Sequence, residues 1–511
     1  MSHWIVAPTL LPALTAAYLI LFARNDIFHQ RIVSVAATLM LVLLTFGLYQ
    51  LAGDGESRAY LLGNWPAPFG IVQVLDRLSA TMLLLTACLA FIVVVYAIHG
   101  WDRRGRYFHA LFQFQLLGIN GAFLTGDFFN LFVFFEVMLI ASYGLMLHGG
   151  GPRRLKAGFQ YVTINLISST LFLFAVGLIY SVTGTLNMAD LAAKAGQVGA
   201  GEVALLRTGA LLLFMVFAIK AALVPLHWWL PTTYAAASAP VAALFAIMTK
   251  VGAYSILRMY GLVFGADAGP LALVAAPWVI PAAIVTLAIG AIGVLASRTL
   301  LDLVCFSVVA SMGTLLIALG LFDEVGIAAA LYYLLHSTLA GAALFLLVDL
   351  IAVRRGRARD RLNAAPPFPR DYVYGGLFFL AAIAMVGLPP LSGFLGKLLI
   401  LDATRETAHA GVIWATVLGS SFLMLVGFSR AGSVLFWKSA AQPPQEEEEE
   451  PKRRVLPTVA AGALIAGMVL LSVFAGPVSR AVTDTAQQAL DTRAYVEAVL
   501  GSIKTARATG H

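Results

Sequence analysis

Residues Leu211–Pro231 read LLLFMVFAIKAALVPLHWWLP. A nearly continuous apolar run of about 20 residues spans the roughly 30 Å hydrocarbon core of a bilayer as one helix. Two residues disturb it. Lys220 places a charge in the span, at a cost of roughly 2.5–3.5 kcal/mol even on the gentlest insertion scale. Pro225, five residues on, lacks a backbone donor and clashes one turn back, so a break or kink is expected there. Freed carbonyls and amides need partners, so unwound backbone beside a lysine gives water a place to stand. A chain keeps such groups when they pair with each other, line a wet path or carry protons, which raises the question of transport.

The same pairing recurs at Phe378–Ile400, FFLAAIAMVGLPPLSGFLGKLLI. Here Pro389 and Pro390, flanked by Gly387 and Gly393, interrupt the span, and Lys397 follows. Two interrupted, lysine-bearing spans set five spans apart are what an internal transporter repeat leaves in a sequence.

The whole chain fits that setting. It has 511 residues, 60% hydrophobic and only 12% charged, with a mean hydropathy of +0.87. Soluble domains carry about 25% charged residues. The apolar runs are continuous rather than alternating, which favours helices over a membrane barrel. The expected class is an all-α polytopic membrane protein with about fourteen spans, at 4–23, 31–51, 75–98, 108–125, 128–147, 158–183, 205–230, 238–262, 271–296, 300–320, 325–352, 372–402, 411–437 and 455–475. Helices 1–3 fill residues 1–107. A first five-helix repeat (helices 4–8) fills 108–262 and a second (helices 9–13) fills 271–437, with helices 7 and 12 interrupted. A charged loop, 438–454, and a last helix with its tail, 455–511, complete the chain. Five is odd, so the two repeats would be inverted.

About 19 Lys and Arg fall in loops after odd-numbered spans and about 5, Arg258 among them, in the others, which places the odd loops in the cytoplasm and both termini outside. The N-terminal MSHWIVAPTLLPALTAAYLILFARND lacks a basic leader and a clear cleavage site, and reads as a retained first helix. The run Gln445–Arg454, QEEEEEPKRR, reads as a solvated loop. Residues 353–370, with Pro366, Pro367 and Pro369, read as a basic linker. The tail from Gly476 onward, with apolar Val482, Ala486, Leu490, Val496, Val499 and Ile503, reads as an amphipathic helix at the surface or on a partner. Cys88 and Cys305 lie in apolar segments without metal, iron–sulfur or haem spacing. No cofactor is expected, and the net charge of +7 sits in short loops rather than in a nucleic-acid surface.

Three further ionisable groups lie deep in spans. Glu136, in NLFVFFEVMLIASYG (Asn130–Gly144), reads either as a protonated core carboxyl or as the partner of Lys220. Lys250, in APVAALFAIMTKVGAYSILR (Ala239–Arg258), is too deep for easy snorkelling. His336, in LYYLLHSTLAGA (Leu331–Ala342), fits a helix–helix hydrogen bond or a proton relay. His227, just past Pro225, fits a bond to unwound backbone as well as a relay. Asp76, Asp127, Asp302 and Asp349 lie near span ends and fit orientation or interfacial pairing. Lysines near one another at the midplane are pushed below their solution range, and a carboxylate moving toward or away from one decides whether it keeps its proton. A row of such groups with water between them is a proton path.

These stretches, together with Leu223–Arg258 (LVPLHWWLPTTYAAASAPVAALFAIMTKVGAYSILR) and Gly387–Lys397 (GLPPLSGFLGK), closely resemble the proton-translocating antiporter-like subunits shared by respiratory complex I and the Mrp (Pha, Mnh) cation/proton antiporters. The resemblance covers roughly helices 3–13, and the wording around Glu136 is most similar to the D subunit of the Mrp type. It implies fourteen helices with inverted repeats of five. It also implies a charged axis of Glu136 in helix 5, Lys220 in helix 7, Lys250 in helix 8, a histidine of helix 11 matching His336, and Lys397 in helix 12. The short tail lacks the lateral helix of the longest complex I member. The expected function is proton translocation within a multisubunit Na⁺ or K⁺/H⁺ antiporter of a bacterial inner membrane, working with other subunits of the complex and not as an enzyme. The alternatives are a redox-driven proton pump of the complex I or membrane hydrogenase kind, whose redox groups would lie in other subunits, and a scaffold subunit that moves nothing.

Overall fold

The structure, a computed structural model, describes residues 2–368, 370–438 and 455–501. The run Gln445–Arg454, Pro369 and Ile503 lie outside the described residues. Helices α1 (Ala7–Leu21), α2 (Ile27–Ala52) and α3 (Arg77–Ala97) come first. Next are α4 (Phe108–Leu124), α5 (Phe128–Leu147) and α6 (Pro152–Thr183), a short α7 (Met188–Ala195), α8 (Val203–Lys220), α9 (Trp229–Tyr234), α10 (Ala239–Phe245) and α11 (Met248–Leu257). The second half holds α12 (Ala276–Ala296), α13 (Leu300–Leu319), α14 (Glu324–Arg354), α15 (Asp371–Val386), α16 (Ser392–Ala403) and α17 (Ala410–Gly432). The chain then runs through α18 (Val455–Val473), α19 (Ala475–Leu490) and α20 (Thr492–Leu500). One antiparallel hairpin, β1 (Arg58–Leu61) with β2 (Val72–Leu75), departs from the all-α expectation and pairs Arg58 with Leu75 and Leu61 with Val72. Among the described residues, eleven helices are long and apolar enough to cross a membrane, and α1 and α15 are shorter apolar ones.

Polarity is distributed as a membrane solvent requires. Large apolar side chains such as Leu14, Phe159, Leu166 and Phe174 face outward, while lysines 220, 250 and 397 and His336 are buried. The chain is therefore a multi-pass helical membrane protein.

Two helix pairs are built alike. In the first, Gly118 and Gly121 of α4 let the backbone and ring of Met138 and Phe134 on α5 approach so closely that a Cβ would clash. In the second, Gly290 and Gly293 of α12 do the same for Ala310 and Phe306 of α13. The spacing between corresponding residues is identical in the two pairs. Small residues are what let membrane helices approach this closely. Each following helix also opens on a capped N-terminus: Asp127 accepts from Asn130 N, and Thr299 from Asp302 N.

Both expected breaks are present, with different details. The first begins at Lys220 itself, which ends α8. The chain then turns through Ala222 in the left-handed region (φ +55°) and resumes as helix at Trp229. Thr286 of α12 accepts from Val224 N, and Trp229 Nε1 donates to the Ile219 carbonyl, so one freed amide and one freed carbonyl are satisfied. The second break runs from Gly387 (φ +85°) to Leu391. A third irregularity lies within the span expected over 238–262, where the backbone stays right-handed helical but its bonds tighten to i→i−3. It separates α10 from α11 at Ala246 and Ile247, just before Lys250, and a wide π turn follows over Arg258–Val263. No proline or glycine marks the tightened turn, because Pro240 sits harmlessly in the first turn of α10.

Two other readings change. Arg258, counted above as a loop cation, is buried against Asp76 at 2.5 Å. The tail forms α19 and α20, which pack on the chain's own α3, α7 and α14, burying Val482, Ala486, Tyr495 and Val499. Asp491 caps the second of them. Two more span-end acids make structural bonds: Asp127 caps α5, and Asp349 accepts from Tyr96 Oη at 2.6 Å and Trp101 Nε1 at 2.9 Å.

Candidate functional site

Lys220 is the last residue of α8, where the helix dipole favours a cation. Its side chain is 6% exposed, and Nζ donates to Asn165 Oδ1 of α6 at 2.7 Å. The amide is oriented by its other end, since Asn165 Nδ2 donates to the Tyr161 carbonyl at 2.8 Å. One turn further along α6, Ser169 donates to the carboxylate of Glu136, which is half-buried on α5. Glu136 and Lys220 are not within ion-pair distance, so the direct pair expected from the sequence is not formed here. α6 comes between them and gives each charge its own neutral partner, although Lys220 still feels the field of Glu136.

Lys250 sits in the first turn of α11, directly after the tightened turn at Ala246 and Ile247, and is 1% exposed. Among the described residues Nζ has no hydrogen-bond partner. Two residues on, Gly252 meets the backbone of Lys220 and Ala221, where a Cβ would lie 2.6 Å from the Ala221 nitrogen. The two lysine-bearing elements thus cross at van der Waals contact.

His336, fully buried on α14, is hydrogen-bonded through Nδ1 to Ser392 Oγ at 2.9 Å. It lies within the fields of both Lys397 and Lys250. Its Nε2 faces Gly393, where a Cβ would come within 2.8 Å. Lys397 Nζ donates to the carbonyl of Val386 at 2.8 Å and to Ser421 Oγ of α17 at 2.7 Å. Val386 is the last residue of α15, so the break has freed the carbonyl that holds the lysine. The same break supplies Ser392 to His336.

The other expected residues lie at the breaks. Pro225, Pro389 and Pro390 are exposed on the chain's flank, and His227 is half-buried in the first turn with no hydrogen bond to the four deep cations. Sequence reasoning missed Asn165, Ser169, Ser392 and Ser421. A signal was available for the first two: Asn165 and Ser169 are spaced i, i+4 in an apolar span, which puts both on one face.

The chemistry this allows is proton exchange. Lys220 and Lys397 are each held by neutral oxygens rather than by a carboxylate. Such acceptors stabilise an ammonium without locking it, whereas an adjacent carboxylate would strongly favour the charged form.

A transmembrane family described as NADH:quinone oxidoreductase/Mrp antiporter matches residues 125–424, the stretch holding all five groups. The chain belongs to this family. Among its relatives, the D subunit of a probable K⁺/H⁺ antiporter of Rhizobium meliloti is 41% identical over 98% of both chains. The D subunit of the Na⁺/H⁺ antiporter of Bacillus subtilis is 35% identical over 98% of this chain and all of the relative. Among solved structures, a chain of the Mrp complex from Dietzia superposes with a TM-score of 0.88 at 27% identity, covering 98% of this chain and 100% of that one. A chain of respiratory complex I from Thermus thermophilus shares the fold, with a TM-score of 0.78 at 24% identity, over 96% and 99% of the two chains.

Proposed function

We propose that this chain is the D subunit of a multisubunit Na⁺ or K⁺/H⁺ antiporter and carries protons along Glu136, Lys220, Lys250, His336 and Lys397. One observation carries the reading: four basic groups are buried in a multi-pass helical chain beside helix breaks or a tightened turn, with no carboxylate paired to any of them among the described residues. Intramembrane ionisable groups are kept for ion and proton movement when they are not simply paired. The Rhizobium and Bacillus relatives, named for K⁺/H⁺ and Na⁺/H⁺ antiport, give the cation class.

In this reading fourteen spans hold two inverted five-helix repeats, 108–262 and 271–437. The matched glycine contacts of α4–α5 and α12–α13 support that repeat. The chain resides in a bacterial inner membrane with both termini outside. Removing Arg258 from the loop cations strengthens the charge asymmetry behind that orientation. Protein partners follow from the exposed breaks at Pro225, Trp228, Pro389 and Pro390: unwound backbone does not face lipid at membrane depth, so neighbouring subunits cover it. As a secondary antiporter subunit the chain is not an enzyme.

The test expresses the whole operon in everted vesicles that lack other antiporters. A pH gradient is imposed, Na⁺ or K⁺ is added, and a pH-sensitive dye is followed. Cation-dependent dequenching is expected. Acidification driven by NADH or hydrogen, with no cation response, would move the chain to the redox-pump branch of the family.

A further inference from the structure

A cavity of about 380 Å³ lies between the α1–α2 turn and the α3–α4 loop. Arg24, Arg103 and Arg106 line it, together with Gln30 and Tyr107. None of the three guanidinium groups has a hydrogen bond or ion pair among the described residues. Arg24 instead lies 5.4 Å from the centroid of the Tyr107 ring.

The nearby acids are already committed. Asp102, which also lines the cavity, accepts two hydrogen bonds from Arg31, at 2.6 and 2.8 Å, and one contact from His109 at 3.3 Å. Burial works to raise its carboxyl, but the bonds from Arg31 and His109 outweigh it and hold it down at about 2. Asp26 is spent on the N-terminus of α2, accepting from Phe28 N and His29 N. The cavity thus presents three guanidinium groups with no ion-pair partner among the described residues. Helix ends border it on both sides, and close in sequence to the lining residues Arg24 and Ile27 stand Leu21, Phe22 and Phe28, each about 70% exposed or more.

We propose that this cavity binds the phosphate of an anionic phospholipid, whose acyl chains lie along Leu21, Phe22 and Phe28. The arginine fork matches phosphate oxygens. The exposed apolar rim favours a lipid over free phosphate, which would gain nothing from it. On the proposed orientation the site faces the cytoplasmic leaflet, where basic clusters at helix ends meet anionic headgroups. The site shares no residue with the proton axis, so either proposal can fail without the other.

The test uses the complete purified complex in non-ionic detergent and reads its thermal midpoint. It is titrated with dioctanoyl-phosphatidylglycerol, dioctanoyl-phosphatidylcholine or inorganic phosphate, for the natural chain and for Arg24→Gln/Arg103→Gln/Arg106→Gln. The three side chains are exposed, so the variant should assemble with an unchanged midpoint in detergent alone and unchanged antiport in phosphatidylcholine vesicles. The phosphatidylglycerol titration should stabilise the natural complex and act at least about tenfold more weakly on the variant, since each interfacial arginine is worth about fivefold in binding. The lipid assignment is overturned by no shift in the natural complex, by equal shifts in natural and variant complexes, or by an equal shift with phosphatidylcholine. Equal stabilisation by inorganic phosphate would assign the cavity to a free anion and overturn it as well.

Discussion

Asn165 and Ser169 stand one turn apart on α6 and keep two opposite charges separate, Asn165 accepting from Lys220 and Ser169 donating to Glu136. A direct pair would bind its proton tightly and bury two charges at a cost that the Coulomb term barely repays. On the proposed path, the neutral acceptor between them would let Lys220 lose its proton as Glu136 approaches or withdraws.

Asn165 is therefore predicted to set the working pH. Asn165→Asp places a carboxylate on Lys220 and favours its charged form, shifting the antiport profile about one unit or more toward alkaline pH. Asn165→Leu leaves the ammonium without its acceptor and should cut the rate about tenfold or more. Both are read in vesicles by the pH dependence of cation-driven dequenching, with assembly checked by co-purification. An unmoved profile in Asn165→Asp would remove Asn165 from the account.

Gly252 keeps the two lysine-bearing helices in contact. A methyl group there meets the Ala221 nitrogen at 2.6 Å, so Gly252→Ala should cost roughly 1–3 kcal/mol of stability and slow transport by separating Lys250 from Lys220. A lowered thermal midpoint together with a reduced antiport rate is expected. Full activity would show that the crossing tolerates displacement.

In the second half, Lys397 has two acceptors and His336 one through Nδ1. Ser421→Ala leaves the Val386 carbonyl in place and should lower antiport only about two- to fivefold. Ser392→Ala removes the partner that orients the His336 ring and should cost more. Rates in the same vesicles rank the two, and the reverse order would contradict the assignment.

Asp102 gives a pH dependence of stability. Its carboxyl is held at about 2 in the folded chain, below its unfolded value of about 3.9. Its stabilising contribution is therefore complete above pH 4 and lost as the pH falls toward 2. Asp102→Asn leaves the partly exposed Arg31 without its charge partner and should lower stability by about 1–3 kcal/mol at pH 7. Thermal melts of the complex between pH 7 and pH 3 check both, and a variant as stable as the natural chain would rule the pair out as a structural clamp.

The membrane class and the two proline-marked breaks were legible because they rest on local chemistry: continuous apolar runs, Pro225, and Pro389 with Pro390. Lys220, Lys250 and Lys397 stood out because charge in such runs is costly. The tightened turn before Lys250 was not legible, since Ala246 and Ile247 carry no proline or glycine signal. The ion pair of Glu136 with Lys220 was inferred from charge alone. Its absence depends on how α6 is inserted, which no spacing along the chain encodes. The burial of Arg258 against Asp76 likewise joins residues far apart in sequence.

The central claim is that protons pass through Lys220. It is tested most directly by imposing a pH gradient on everted vesicles carrying the whole complex with Lys220→Ala, adding K⁺ or Na⁺, and following dequenching. Cation-dependent dequenching should be lost while all subunits still co-purify. Dequenching at the natural rate in a fully assembled Lys220→Ala complex would contradict the claim and leave the chain as a scaffold.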